Sequence, residues 1–138
     1  MSALHQGRVL ILAGSDSGGG AGVQADIKAV TMMGGYAATA ITAITVQNTL
    51  GVHGVHSLPL DLIAAQGRAV LEDIGADAFK TGMLGSVEVV ETVAALLDMA
   101  DAPAVVDPVM VAKGGAPLLP DAAVEAVKAL MVPRAALL

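Results

Sequence analysis

The chain has 138 residues, a formal net charge of −6 and no cysteine, which excludes a disulfide framework and a thiolate metal site. The negative charge and an aromatic content of only 1% exclude the basic surfaces and stacking platforms of nucleic-acid-binding proteins. Hydrophobic residues make up 55% of the chain, so its length indicates one packed domain, or part of one, and not a disordered segment.

The first predicted elements are a strand, a glycine loop and a helix. The apolar strand 8–13 ends at Gly14, the glycine loop occupies residues 15–20, and residues 21–33 have helical periodicity. A helix that starts after a strand offers free N–H groups and the positive end of its dipole. We expect a small polar or anionic ligand at this turn; the alternative is that the glycines only allow a tight turn.

Three better-known loops fit this segment poorly. A phosphate-binding loop needs Lys and Ser or Thr after its second glycine, where Gly20 and Ala21 stand. Residues 20–25 match the permissive dinucleotide fingerprint, but the strand ends well before them and no acidic residue follows at the usual distance. Residues 16–19 are similar to the nucleophile segment of chymotrypsin-type proteases, which are all-β, whereas this chain alternates strands and helices.

Residues 29–60 contain no charged side chain. We expect a strand over 36–46 that is buried on both faces, as in parallel sheets, and a short strand over 54–58. A membrane span needs about twenty predominantly apolar residues, and the threonines, amides and glycines of this segment exclude one. We see no secretory leader, so the cytoplasm is the expected location.

The rest of the chain alternates helices and strands. Helices are predicted from Asp61 to about residue 73, from Ser86 to about residue 100, and from Pro120 to about residue 131, with Asp61 and Ser86 as N-caps. The predicted strands are 78–81, 104–107 and 135–138, and residues 108–119 form a glycine-containing loop. The alternation predicts an α/β fold, a mostly parallel central sheet with helices on both faces.

The strand predicted at residues 135–138 would be buried on both faces, yet no element follows to cover it. We therefore expect an apparently truncated domain. Residues 1–138 would form a single α/β domain that is the N-terminal, substrate-binding portion of a longer protein, without its C-terminal nucleotide-binding portion.

Polar residues collect in the loops after the strands, where open α/β sheets bind ligands. Gln47 offers an acceptor and a donor side by side, which can match the edge of an aminopyrimidine or an amide. Asp26 can accept from an exocyclic amine, and Met83 can pack against a flat ring. Asp107 and Lys113 form the carboxylate–lysine pair that a magnesium–triphosphate complex needs. The alternatives are that Gln47 is an ordinary strand-end amide, that Asp26 is a solvated helix residue and that Met83 is a core methionine.

Together these segments resemble the hydroxymethylpyrimidine/phosphomethylpyrimidine kinases of thiamine biosynthesis, which belong to the ribokinase-like superfamily. The resemblance rests on the order and spacing of AGSDSGGGAGVQADIK, AITAITVQNTLGV, KTGMLGS and VVDPVMVAKGGAPLL, and it covers about residues 8–138. It implies a ribokinase-like kinase that uses ATP and Mg²⁺. The implied substrate is 4-amino-5-hydroxymethyl-2-methylpyrimidine, followed by its monophosphate.

By position, the resemblance implies that Gln47 recognises the pyrimidine. It further implies that the pocket is lined by Ala21, Asp26, Thr45, Met83 and Val109. Asp107 and Lys113 would be catalytic, near the metal and the phosphates, with Asp107 as a metal ligand. Family members commonly have Pro at the position of Ser17 and Val at that of Thr45, and their nucleotide site lies beyond the equivalent of Leu138.

The expected partner is a small-molecule pyrimidine, with no nucleic acid and no membrane, and the expected state is a homo-oligomer. Two other functions stay open, namely a pyridoxal-type kinase of the same superfamily and a non-catalytic pyrimidine-binding module. A dinucleotide-dependent oxidoreductase fits the sequence least well.

Overall fold

The structure is a computed structural model that describes residues 6–112 and 114–138. Strands and helices alternate along most of this part of the chain. In chain order they are β1 (Arg8–Ala13), α1 (Gly22–Met32), β2 (Tyr36–Ile41), β3 (Ala43–Asn48), β4 (Gly51–Ser57), α2 (Leu60–Asp73), β5 (Ala78–Thr81), α3 (Val87–Leu97), β6 (Ala104–Val106), α4 (Asp121–Ala126) and β7 (Ala135–Leu137). After α4 the chain continues through a π-helical turn (Val127–Met131) and a 3-10 turn (Val132–Arg134).

The central sheet has the strand order β2-β1-β5-β6-β7 in the described residues, and all its pairings are parallel. On one face, Val23 of α1 packs against Ile11 and Ala13 of β1. On the other face, α2, α3 and α4 enclose a larger core around Leu10 and Phe79. The predicted α/β fold, with a mostly parallel sheet and helices on both faces, is confirmed. None of the described helices is long and apolar enough to cross a membrane.

The predicted single strand over 36–46 is wrong, because the chain divides at Thr42 into strands of two different sheets. β2 joins the central sheet, whereas β3 pairs antiparallel with β4 in a separate two-stranded sheet, here called the β3–β4 hairpin. The Thr42 N–H still donates to the Ala13 carbonyl at 3.0 Å. Beyond it, Ile44 and Val46 are 43% and 62% exposed, so β3 is not buried on both faces.

The prediction for the next strand was too short, since residues 54–58 correspond only to the second half of β4. The two strands of the hairpin are joined by a tight turn between Asn48 and Gly51. The Asn48 side-chain oxygen accepts from the Leu50 N–H at 2.9 Å, which is a local hydrogen bond typical of Asn in turns. Residues 36–57 therefore form one strand of the central sheet and a complete hairpin.

The predicted helix starts were right in position, but one predicted cap was wrong. Ser86 caps α3, and its Oγ accepts from the Val89 N–H at 3.3 Å. Asp61 does not cap α2, because it lies in the first turn and the N-cap residue is Pro59. A proline with ψ near 141° already has the extended backbone of an N-cap residue, so the helix begins directly after it.

The strand at the end of the described chain, β7, is only partly covered. Register places Ile11, Lys80, Val105 and Leu137 in one row across the α1 face of the sheet. Along this row the exposure rises from 0% at Ile11 to 39% at Val105 and 62% at Leu137. α1 covers only the β1 end of the row, which agrees with the expectation that no element covers the final strand.

An ion pair ties the end of α3 to the turn before β7. Arg134 donates from Nε and Nη2 to the two carboxylate oxygens of Asp98, both at 2.8 Å. These hydrogen bonds raise the pKa of Arg134 and hold the pKa of the Asp98 carboxyl below its usual range. Neither residue lines the cavity described next.

Candidate functional site

A cavity of about 340 Å³ lies at the carboxyl ends of β1, β5 and β6. The glycine loop, the start of α1, the β3–β4 hairpin and the loop after β6 form its walls. The predicted site residues that line it are Ala21, Asp26, Thr45, Gln47, Met83, Asp107 and Val109. The remaining predicted residue, Lys113, lies outside the described residues. The structure therefore brings the other seven to one place, and their individual roles stay predictions.

The glycine loop carries its own anion, Asp16. The Asp16 carboxylate accepts from the N–H groups of Gly18, Gly20 and Ala21 at 2.7, 2.9 and 2.8 Å, and the residue is 5% exposed. These N–H groups are the ones that an anionic ligand at this turn would need. Of the two kinds of ligand expected at this turn, polar or anionic, a polar ligand without negative charge fits these occupied N–H groups better.

Sequence reasoning missed Asp16 as a structural anion. An Asp followed by glycines is typical of a turn in which the side chain bonds the backbone ahead of it. That signal was present in Asp16 and Gly18, but the segment was compared only with loops that bind ligands.

Gly22 allows α1 to lie directly against the end of β1. Its φ is +58°, and a Cβ built there would lie 2.4 Å from the Gly14 carbonyl oxygen. The Val23 N–H donates to that same carbonyl at 2.9 Å. Glycine is required at this position for the close approach, since a side chain would be strained there and would also meet backbone.

Thr45 and Gln47 reach the cavity from β3. Thr45 is 4% exposed, and its Oγ1 donates to the Ser15 carbonyl at 2.7 Å. The Gln47 Oε1 lies 3.3 Å from the same hydroxyl. Between Val46 and Gln47 the strand pairing shifts register, and such irregularities re-aim side chains. The Gln47 side-chain amide is therefore half-buried at the wall of the cavity.

Two serines of the glycine loop hold the free edge of β3. The Ser15 N–H donates to the Ala43 carbonyl at 2.9 Å. The Ser17 Oγ donates to the Gln47 carbonyl at 2.5 Å and accepts from the Gln47 N–H at 2.8 Å. One hydroxyl thus satisfies both backbone groups of the predicted pyrimidine-recognising residue.

At the cavity, Asp26 forms an ion pair with Lys80, a residue that sequence reasoning missed. The Lys80 Nζ lies 2.7 Å from the Asp26 Oδ2, and the two side chains are 23% and 20% exposed. Both residues line the cavity. The only sequence signal was a charged residue inside a short predicted strand.

The remaining wall is mostly apolar, with Met83, Val109 and Ala21 among its residues. Asp107 follows β6 and is exposed at the cavity. In the part of the chain that the structure describes, no cluster of three or more His, Cys, Asp or Glu side chains could hold a metal ion. Mg²⁺ is usually bound by one or two carboxylates together with water and substrate phosphates, so Asp107 fits a single protein ligand.

Comparisons with known proteins show the family of the chain. The family model described as phosphomethylpyrimidine kinase matches residues 16–138. The hydroxymethylpyrimidine/phosphomethylpyrimidine kinase of Streptomyces coelicolor is 54% identical over 125 residues, which are 91% of this chain and 46% of that protein. The chain spans about half the length of the curated relatives it matches.

Solved structures match over nearly the whole chain. The crystal structure of phosphomethylpyrimidine kinase from Clostridium difficile is similar with a TM-score of 0.87 and 43% identity, covering 94% of this chain and 57% of that one. The pyridoxal kinase from Staphylococcus aureus in complex with AMP-PCP and pyridoxal has a TM-score of 0.83 and 36% identity, covering 94% and 46%. By sequence and by fold, the chain belongs to the phosphomethylpyrimidine kinase family.

Proposed function

We propose that this chain is the substrate-binding part of an ATP-dependent kinase of thiamine biosynthesis. Its substrates would be 4-amino-5-hydroxymethyl-2-methylpyrimidine and the corresponding monophosphate. The observation that carries the proposal is the single cavity that gathers Gln47, Asp26, Met83 and Val109 at the carboxyl ends of the strands. Membership of the family supports phosphoryl transfer as the reaction.

The cavity has the chemistry of an aminopyrimidine site. The Gln47 amide can accept from an exocyclic amine and donate to the adjacent ring nitrogen. Met83 and Val109 provide apolar surface for the faces of a flat ring. Because the N–H groups of the glycine loop already bind Asp16, this end of the cavity favours the neutral ring of the substrate.

The proposal includes ATP and Mg²⁺. AMP-PCP, an ATP analogue, is bound in the related pyridoxal kinase structure, which supports ATP as the phosphate donor. Asp107 would provide a carboxylate to Mg²⁺, and Lys113 would neutralise charge on the transferring phosphates. Since the chain spans about half the length of its relatives, the part of the proposal that concerns the chain itself is the binding of the pyrimidine.

Pyridoxal is a second candidate ligand. It is favoured by one observation, the likeness of this chain to a pyridoxal kinase solved with pyridoxal. A flat ring with a hydroxymethyl group is common to both compounds, so the apolar walls suit either. The Gln47 amide favours the aminopyrimidine, because pyridoxal has no exocyclic amine. The cytoplasmic location and the homo-oligomer stay predictions.

Calorimetric titration of the 138-residue chain with the two compounds tests the proposal. We expect the aminopyrimidine to bind more tightly, and Gln47→Ala to weaken that binding by about 1–3 kcal/mol, because polar atoms of the ligand lose their partners. Gln6→Ala, an exposed amide outside the cavity, is the matched control and should change nothing. Tighter binding of pyridoxal, or unchanged aminopyrimidine affinity in Gln47→Ala, would contradict the proposal.

A further inference from the structure

Lys80 stands in a row of apolar side chains. Strand register places it between Ile11 and Val105 on the α1 face of the sheet. A charged group there costs free energy unless it is paired and hydrogen-bonded. A residue that breaks the local pattern of its strand is most often there for a ligand or for function.

The backbone leaves room for the Lys80 ammonium beside the cavity. A Cβ built on Gly82 would lie 3.2 Å from Nζ and 3.0 Å from the Cβ of Ala13. The ammonium group therefore occupies space over Gly82, beyond the carboxyl end of β5. From a mid-strand position, the side chain thus extends to the edge of the sheet where the ligand cavity lies.

The ion pair with Asp26 uses only part of the hydrogen-bonding capacity of Lys80. An ammonium group has three N–H donors. Within the described part of the chain, the Asp26 Oδ2 is the one hydrogen-bond partner of Nζ. Two donors are left in a side chain that is only 23% exposed.

The other charged side chains that the structure describes at the cavity are carboxylates. Asp16 is occupied by three backbone N–H groups of its own loop, and Asp107 lies at the end of β6. Among the described residues that line the cavity, Lys80 is the one cation. An acceptor atom of a bound ligand would therefore meet a charged donor at Lys80.

We infer that Lys80 binds the ligand directly, donating a hydrogen bond to an acceptor atom, while Asp26 beside it accepts from the ligand. The two side chains together present a donor next to an acceptor, as the Gln47 amide does from β3. An aminopyrimidine offers two ring nitrogens and a hydroxymethyl oxygen as acceptors, so both pairs can be satisfied at once. This inference rests on the proposed function of the cavity.

Calorimetric titration of the 138-residue chain with 4-amino-5-hydroxymethyl-2-methylpyrimidine tests the inference. Lys80→Met keeps the apolar stem and removes the donors, and we expect the affinity to fall about tenfold or more, as for a lost charged hydrogen bond. Lys128→Met is the matched control. It also removes a lysine from a 2.7 Å ion pair, with Glu125, but that pair is exposed, so we expect the affinity to stay within twofold.

The Asp26→Asn variant allows direct contact between Lys80 and the ligand to be distinguished from an indirect role in which Lys80 only holds Asp26. If Lys80 only held Asp26 in place, adding Lys80→Met to Asp26→Asn would leave the affinity unchanged. Direct contact predicts a further loss of about tenfold. The single Lys80→Met variant leaves the Asp26 carboxylate without its cation and could fail to fold for that reason. The double variant has no carboxylate at position 26, so its comparison with Asp26→Asn still tests direct contact.

A ligand analogue identifies the acceptor. In 4-amino-2,5-dimethylpyrimidine the hydroxyl group is missing. If Lys80 donates to the hydroxymethyl oxygen, Lys80→Met should bind this analogue as the unchanged chain does; if it donates to a ring nitrogen, the loss should persist.

The inference is overturned if folded Lys80→Met binds the pyrimidine within twofold of the unchanged chain, or if its effect disappears in the Asp26→Asn background. Either result leaves the proposed function standing, provided that the unchanged chain binds. Failure of the unchanged chain to bind both the pyrimidine and pyridoxal contradicts the proposed function, and the inference with it.

Discussion

Asp16 decides what kind of ligand the first strand–helix turn can hold. Helix N-termini after glycine loops commonly bind phosphate through backbone N–H groups. Here the carboxylate of Asp16 takes those groups, and the Asp16 N–H itself donates to the Gln24 side chain at 2.8 Å. The N–H groups of Gly18, Gly20 and Ala21 thus have an acceptor within the chain, and Ala21 lies at the cavity wall.

Replacement of Asp16 should therefore act on stability first. We expect Asp16→Ala to lower the free energy of unfolding by about 1–3 kcal/mol, because three N–H groups lose a charged acceptor. Urea unfolding followed by circular dichroism measures this. Asp121→Ala removes an exposed acid at the start of α4 and serves as the control, with an expected change of about 0.5 kcal/mol or less. Equal losses in both variants would show that the Asp16 hydrogen bonds add nothing.

Single residues of the cavity differ in how well the sequence predicts them. Met83 and Asp107 follow the parallel strands β5 and β6, and the rule that ligands bind at the carboxyl ends of parallel strands brings them together. Gln47 lies on the antiparallel strand β3, so the rule selected it only because residues 36–46 were predicted as one parallel strand. Lys80 sits inside its strand, so that rule does not select it. Its partner Asp26 is 54 positions away in the chain, and no spacing in a sequence indicates such a pair.

Among the secondary-structure elements, the β3–β4 hairpin is held in an unusual way. Its pairing is antiparallel and internal, and the other edge of β3 meets the glycine loop through Ser15 and Ser17 instead of a neighbouring strand. The hydroxyl of Ser17 replaces two backbone partners for Gln47. The backbone of Gln47 is therefore attached to the glycine loop through the Ser17 side chain.

Ser17→Ala should loosen this attachment. We expect the Gln47 N–H to exchange with deuterium severalfold faster, because it loses its acceptor, while global stability falls by about 0.5–1.5 kcal/mol. Ser17→Thr keeps the hydroxyl and should restore slow exchange. Ser57→Ala, an exposed serine at the far end of β4, is the control. Exchange at Gln47 that is the same in Ser17→Ala and in the unchanged chain, measured by NMR, would contradict this account.

Elements with a clear local signal were predicted well, and the hairpin was not. Ser86 begins α3 because its hydroxyl caps the helix, which the sequence shows directly. The division of residues 36–46 into β2 and β3 has no local signal, since both parts have the β-branched composition of strands. The division depends instead on Thr42, whose N–H donates to the Ala13 carbonyl at the end of β1. That contact exists only in the folded chain.

For the molecule as a whole, the α1 face of the sheet is covered unevenly. Leu137 lies on the edge strand β7, and both it and Leu138 are more than half exposed. An edge strand presents unpaired N–H and C=O groups to other chains. Apolar side chains beside such an edge favour association.

We therefore expect the 138-residue chain to self-associate in solution. Leu137→Lys should reduce the association, because it places a charge on the edge strand. Met33→Lys changes an equally apolar residue that is 89% exposed beyond the end of α1, and it should not. Sedimentation velocity over a range of concentrations measures both. A chain that stays monomeric throughout, or equal behaviour of the two variants, would contradict this prediction.

The class of the fold follows from the alternation of strands and helices, but the strand order does not. Residues 8–13 and 78–81 are both short apolar strands, and nothing in either indicates that they are neighbours. Their pairing brings Leu10 beside Phe79 in the core that α2 and α3 cover. Such non-local packing is decided by the whole chain at once.

The strand order also has a consequence for the way the chain is made. On a ribosome, β1 emerges early, but one of its edges stays open until β5 has been synthesised. The β3–β4 hairpin, whose contacts are local, can form in the meantime. Because the cavity needs the hairpin, β5 and the loop after β6 together, it cannot form before that loop has been synthesised. A compound that binds there binds only the finished fold, and it thereby stabilises the native chain against its partly folded forms.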